Sequence, residues 1–150
     1  MEAQIVKAKE HGLIQSFELQ ARVENSRPDA IVTLRNGRTI VIDSKATTMM
    51  VKGRDRKNYT DNLKRKMQNL AKKNYSKKVG QSAYDMVWMF LPYDRDLQLG
   101  YSGYDFSSDE YGVQAYAQKR NILLITPESF LCSLRFLDLL GTGTDNDGRA

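Results

Sequence analysis

The sequence predicts an α/β domain in which a mixed β-sheet is flanked by helices, and three observations predict it. An Asn36-Gly37 pair joins two segments of strand character, Ala30 to Leu34 and Thr39 to Asp43, and Asn-Gly is the strongest short signal for a hairpin. Tyr59, Leu63, Met67 and Leu70 then recur at helical spacing. Beyond them, two short apolar runs, Met86 to Leu91 and Ile122 to Ile125, alternate with helical stretches.

Taken in order, Glu2 to His11 reads as a helix with Ile5 and Val6 apolar and Gly12 at its C-cap. Phe17, Leu19, Ala21 and Val23 alternate with Glu18, Gln20, Arg22 and Glu24, the pattern of a half-buried strand, which Asn25-Ser26-Arg27-Pro28 breaks. The second and third strands follow, joined through Arg35-Asn36-Gly37-Arg38 by an expected type I′ turn, which needs positive φ at both central residues. Thr39-Ile40-Val41-Ile42 is nearly all β-branched, as in a central strand buried on both faces. In the next helix one apolar stripe packs on the sheet, and Lys64, Arg65, Lys66, Lys72 and Lys73 fill the other faces. Met86 to Leu91 is a buried strand closed by Pro92, and Tyr93 to Gly112 reads as a long loop. Val113 to Arg120 is helical, Ile122 to Ile125 is a strand, and Pro127 starts a helix to about Leu140. The expectation is one domain over 1–140 and a small, polar, disordered tail over 141–150. The predicted order is α-β-β-β-α-β-α-β-α.

Composition narrows the chemistry. A chain of 150 residues can bury a real core, and 41% hydrophobic with 27% charged residues is ordinary for a globular domain. No apolar run reaches the ~18 residues of a membrane span, and MEAQIVKAKEHG does not read as a signal peptide. Cys132 alone can form neither an internal disulfide nor a cysteine-based zinc site, so a reducing, cytoplasmic setting is expected. His11 is the only histidine, which excludes zinc-hydrolase motifs, nucleases that need two histidines, and most catalytic triads. Any catalysis therefore rests on carboxylates and lysines. Between Val51 and Gly80 stand eleven Lys and Arg against Asp55 and Asp61, so this segment carries +9 while the rest of the chain is net negative. Such a patch is the footprint of a protein that binds phosphate backbones.

The candidate site lies at one end of the hairpin. Asp29 opens the second strand, while Asp43 and Lys45 end the third, two residues apart and so on one face. Hairpin folding brings all of these to the end opposite the Asn-Gly turn. Two carboxylates, with the Ser44 carbonyl as a further oxygen, suit a hard divalent cation, Mg²⁺ first and Mn²⁺ as a substitute. Lys45 can orient or help deprotonate the attacking water, or stabilise transition-state charge as a cation. Gln20, polar and outward on the first strand, is a candidate for lining the cleft against DNA. An ordinary Asp43–Lys45 ion pair and a turn aspartate at position 29 are the structural alternative.

Pro28-Asp29 followed by Asp43-Ser44-Lys45 resembles the PD-(D/E)xK nuclease superfamily. More closely, the chain resembles the RmuC-type DNA recombination proteins, through Phe17-Glu18-Leu19-Gln20, Arg27-Pro28-Asp29, Gly37 to Lys45, Asn74-Tyr75, Met89-Phe90-Leu91-Pro92 and Ile122 to Pro127. The resemblance runs from the first helix to about Leu140, with Arg-Pro-Asp and Ile-Asp-Ser-Lys as its specific elements. It implies a restriction-endonuclease-like core and an endonuclease tied to recombination or to limiting rearrangement. It also implies a further catalytic carboxylate at Glu2, although the tryptophan- and glycine-containing stretch that precedes this glutamate in the family is missing. The family's histidine in the basic helix is Lys66 here, which points to phosphate contact, and Asp94 stands near a family glutamate. Family members usually carry an N-terminal coiled coil, often with a membrane anchor. These 150 residues contain neither, which leaves an excised domain and a minimal relative both open.

The expected function is a Mg²⁺-dependent DNA nuclease, with metal at Asp29, Asp43 and Ser44, Lys45 beside the water, and the basic helix on the DNA backbone. The alternatives are a non-cleaving DNA-binding module that keeps the fold, and a domain whose basic helix meets an acidic protein. No membrane contact is expected. One centre cuts one strand, so symmetric duplex cleavage would call for a homodimer.

Overall fold

The computed structural model describes residues 1–45, 56–92 and 113–148, and their side chains except at 56–59 and 141–148. Its elements are α1 (Glu2–Glu10), β1 (Ile14–Leu19), β2 (Ala30–Leu34), β3 (Thr39–Ser44), α2 (Arg56–Lys73), α3 (Tyr75–Val79), β4 (Ala83–Phe90), α4 (Val113–Gln118), β5 (Ile122–Ile125) and α5 (Pro127–Gly148). The five strands form one sheet in sequence order. β1, β2 and β3 are antiparallel neighbours, whereas β3, β4 and β5 run parallel, so the sheet is mixed as predicted. Short connections serve the antiparallel part, and the helical crossovers through α2–α3 and α4 serve the parallel part.

Side-chain alternation assigns the two layers. Val32, Ile40, Ile42, Trp88, Phe90 and Ile125 form one core with Ile5 and Ala8 of α1 and Phe130 and Leu134 of α5. Val41, Val87, Met89, Ile122 and Leu124 form the other, with Leu63, Met67 and Leu70 of α2, Tyr75 of α3, and Tyr116 of α4. β3 contributes to both cores, which is why its run is almost wholly β-branched. Phe130 pins α5 to the sheet by edge contacts to Trp88 (5.8 Å between centroids) and Phe90 (6.1 Å). Burying that ring contributes about 1.5–3 kcal/mol.

Several expectations require correction. The first strand ends at Leu19, because Gln20 (φ 54°) and Glu24 (φ 54°) turn left-handed and Val23 bridges Ser26. The type I′ turn does not form: of Asn36 and Gly37 only the glycine has positive φ (83°). Gly37 N–H instead donates to the Leu34 carbonyl at 2.9 Å, and the Asn36 side-chain oxygen accepts from Arg38 N–H at 2.9 Å. This is a type I turn followed by a left-handed glycine. A short helix, α3, was not foreseen. Asn74 (φ 55°) breaks it from α2, a left-handed position that asparagine tolerates well. β4 begins at Ala83, three residues early, and α5 extends past Leu140 to Gly148. Asp94 and the aromatic, acidic stretch 101–112 lie outside the described residues. Among the described residues, no helix is long and apolar enough to cross a membrane.

Candidate active site

The register of the β2–β3 pair builds the site. Leu34 N–H bonds to the Arg38 carbonyl, so the hydrogen-bonded pairs on this ladder fall at alternate steps down to Ala30 opposite Ile42. One step further sets Asp29 against Asp43, a non-hydrogen-bonded position where opposed side chains approach most closely. A second step sets Pro28 against Ser44. Proline offers no N–H, so the Ser44 carbonyl has no ladder donor from that strand. The Ser44 N–H is taken instead by Asp29 Oδ2 at 2.7 Å.

Asp29 is held at its other oxygen as well. Gln20 Nε2 donates to Asp29 Oδ1 at 3.0 Å, while Gln20 N–H donates to the Asp29 carbonyl at 2.9 Å. Asp43, by contrast, is 4% exposed and faces the Lys45 ammonium, with Oδ2 and Nζ 2.6 Å apart. Burial pushes the Asp43 carboxyl above the usual carboxylate range. The Lys45 ammonium opposes that shift and the neighbouring Asp29 adds to it. The cluster also sits at the carboxyl end of β3, beside the carboxyl end of parallel β4, where open α/β sheets bind ligands.

The structure therefore brings Asp29, Asp43, Ser44, Lys45 and Gln20 together. Glu2 does not join them: it is exposed on α1, whose buried residues belong to the opposite layer. Among the described residues no group of three or more His, Cys, Asp or Glu side chains gathers to hold a metal. The donors that fit a hard cation are two carboxylates and the Ser44 carbonyl, which lacks its ladder partner; solvent would complete the shell.

The basic residues of α2 divide by direction. Lys64 Nζ lies 5.1 Å from the centre of the Tyr116 ring, toward α4. Lys73 lies 5.7 Å from the Tyr75 ring, toward α3. Arg65 and Lys72 are exposed, and Lys66 is half-buried. Tyr75 lies in the core on the Asp43 side of the sheet, a place the sequence pattern did not assign to it. It is 2% exposed, and burial, followed by the charge of Asp43, pushes its phenol pKa upward. The available signal was a lone aromatic directly after Asn74, a residue suited to end the basic helix.

Comparison with known proteins agrees with the resemblance in the motifs. The model of the RmuC family matches residues 4–144. A DNA recombination protein RmuC homolog of Vibrio cholerae serotype O1 is 28% identical over 149 residues, covering 87% of this chain and 28% of the relative. The chain thus spans about 28% of that relative's length.

Proposed function

The chain belongs to the RmuC family, and from that premise we propose that it is a Mg²⁺-dependent deoxyribonuclease with a PD-(D/E)xK core, hydrolysing phosphodiester bonds in DNA recombination or the control of rearrangement. The observation that carries this reading is the pairing of Asp29 with Asp43 beside Lys45, where the Ser44 carbonyl has lost its ladder donor to Pro28. A purely structural ion pair has no use for a second carboxylate beside it.

Asp29, Asp43 and the Ser44 carbonyl would hold the cation, with Mn²⁺ able to replace it. When bound, Mg²⁺ supplies charge to the phosphate and lowers the pKa of water. Gln20 and the Ser44 N–H fix the orientation of Asp29. Lys45, placed beside Asp43 at 2.6 Å, would stabilise the charge that builds on the phosphoryl oxygens. Lys64, Arg65, Lys66, Lys72 and Lys73 supply backbone contacts that position the strand. Paired cutting of a duplex would take two such centres, and a homodimer would provide them.

The test is cleavage of labelled linear, circular and branched DNA with Mg²⁺ or Mn²⁺. Wild type is expected to cut, and Asp43→Ala and Lys45→Ala each to lose about 10²-fold or more. DNA binding that persists in EDTA, with no cutting under either metal, would favour a non-cleaving DNA-binding module. The lack of a third carboxylate among the described residues is the observation on that side.

A further inference from the structure

We infer that the β1–β2 connection is a phosphate-binding element, in which Arg22 and Arg27 grip a backbone phosphate of DNA next to the one at the carboxylates. The inference rests on the deoxyribonuclease reading for its ligand, but it assigns residues that no part of that reading uses.

The connection is a tied loop. Gln20 and Asp29 close its neck through the backbone bond at 2.9 Å and the side-chain bond at 3.0 Å. Val23 and Ser26 exchange backbone bonds at 2.8 and 2.9 Å to form its tip. Lys78 of α3 reaches across to donate to Ser26 Oγ at 2.8 Å. On this loop lies an open hollow of 310 Å³ lined by Arg22, Glu24, Asn25, Ser26 and Arg27. Both arginines are exposed, and among the described residues neither is in an ion pair, although Glu24 lines the same cavity. With Lys78 the loop carries three cations, against Glu24 at the cavity and Asp29 at the neck.

Guanidinium groups match phosphate oxygens in a two-point fork, whereas Lys78 adds a point charge. A loop already held at neck, tip and flank loses little freedom when it binds, which favours affinity. Its neck is Asp29 itself. A phosphate at the loop therefore neighbours, on the same strand, a phosphate at Asp29 and Asp43.

The test is fluorescence anisotropy of a short labelled duplex in EDTA across a series of salt concentrations, for wild type, Arg22→Ala/Arg27→Ala, Arg22→Lys/Arg27→Lys and Arg135→Ala. Arg135 is an exposed charge on α5, in the opposite layer, and serves as the control. The double alanine variant is expected to bind about tenfold more weakly and to lose about 1 to 2 units from the slope of log K against log salt. The lysine pair should restore most of the slope, and Arg135→Ala should match wild type. Wild-type binding with a normal salt slope, unchanged in the double alanine variant, would overturn the assignment alone. Failure of the wild-type protein to bind DNA at low salt would overturn the deoxyribonuclease reading, and this inference with it.

Discussion

Asp29 is oriented before any ligand arrives, because the Ser44 backbone and the Gln20 amide each claim one of its oxygens. The partner Gln20 sits at φ 54°, a left-handed position that costs a non-glycine residue about 1–2 kcal/mol. Gln20→Gly separates the two effects. Relief of backbone strain offsets the greater freedom of the unfolded chain, so stability should change by less than about 1 kcal/mol. Loss of the amide should weaken Mn²⁺ binding about tenfold, as removal of outer-shell partners does; isothermal titration with Mn²⁺ measures it, and unchanged affinity would deny Gln20 a positioning role. Asp43 carries the opposite cost. Its carboxyl is raised in the folded state, chiefly by burial, so the native protein holds this proton more tightly than the unfolded chain does. Stability from this group is then fully present below its ordinary value of 3.8 and is lost as pH rises through the higher native value. Asp43→Asn is accordingly expected to melt higher than wild type in EDTA near neutral pH, with the difference vanishing in acid. Thermal melts from pH 4 to 8 test it, and an equal or lower melting temperature at neutral pH would contradict it.

At the scale of elements, β3 is the member on which both cores and the site depend. Ile40 and Ile42 enter one core and Val41 the other, and the strand then ends by presenting Asp43 on the Val41 face. The α2–α3 break at Asn74 turns the chain so that Tyr75 closes this same face. The opposite layer is held by α5 through Phe130, whose edge contacts to Trp88 and Phe90 both reach β4, the strand that follows the first crossover. Phe130→Ala is predicted to cost about 3–5 kcal/mol in urea unfolding. Its effect on cleavage at temperatures where the variant stays folded should be small, because the ring belongs to the core away from the Asp43 face. A loss below about 1 kcal/mol would mean that α5 does not depend on this contact.

Seen as a whole molecule, the sheet separates two tasks. One layer, α1 and α5, covers the β2 side chains that alternate with Asp29, while α2, α3 and α4 bring the basic segment to the face that carries Asp43. Positive charge and the paired carboxyl groups of Asp29 and Asp43 thus share one side of the domain, where the two carboxyl groups disfavour each other's charge. Mg²⁺ that binds the native state alone must raise its stability by mass action. At about 100 times its Kd the gain is about 2.7 kcal/mol, or about 5–10 °C in Tm for a domain of this size. Asp43→Ala should melt at the same temperature with and without Mg²⁺. A wild-type Tm indifferent to Mg²⁺ and Mn²⁺ would argue against a metal centre.

Local pattern was enough for much of this. Ala30–Leu34 and Ile122–Ile125 have the predicted bounds, and Asp29, Asp43 and Lys45 do meet at the hairpin's open end, since alternation, β-branching and the Asn36-Gly37 turn signal all act within a few residues. Signals at that range could not end the first strand: Ala21 and Val23 continue the alternation, yet the chain turns at Gln20 to bond with Asp29, nine residues on. Nor could they set the turn type, once the Asn36 side chain captured the Arg38 N–H. The same holds for Glu2, whose helix packs on the far layer, and for Tyr75 and Lys78, which meet their neighbours only after the crossover. The sequence by itself determined the second, third and fifth strands and the meeting of Asp29, Asp43 and Lys45 at the hairpin's end, because both follow from residue type and period. Only the tertiary structure decided which side chains hold Asp29, which face receives the positive charge, and where the loop arginines stand, because contacts across long stretches of chain depend on register and layer packing.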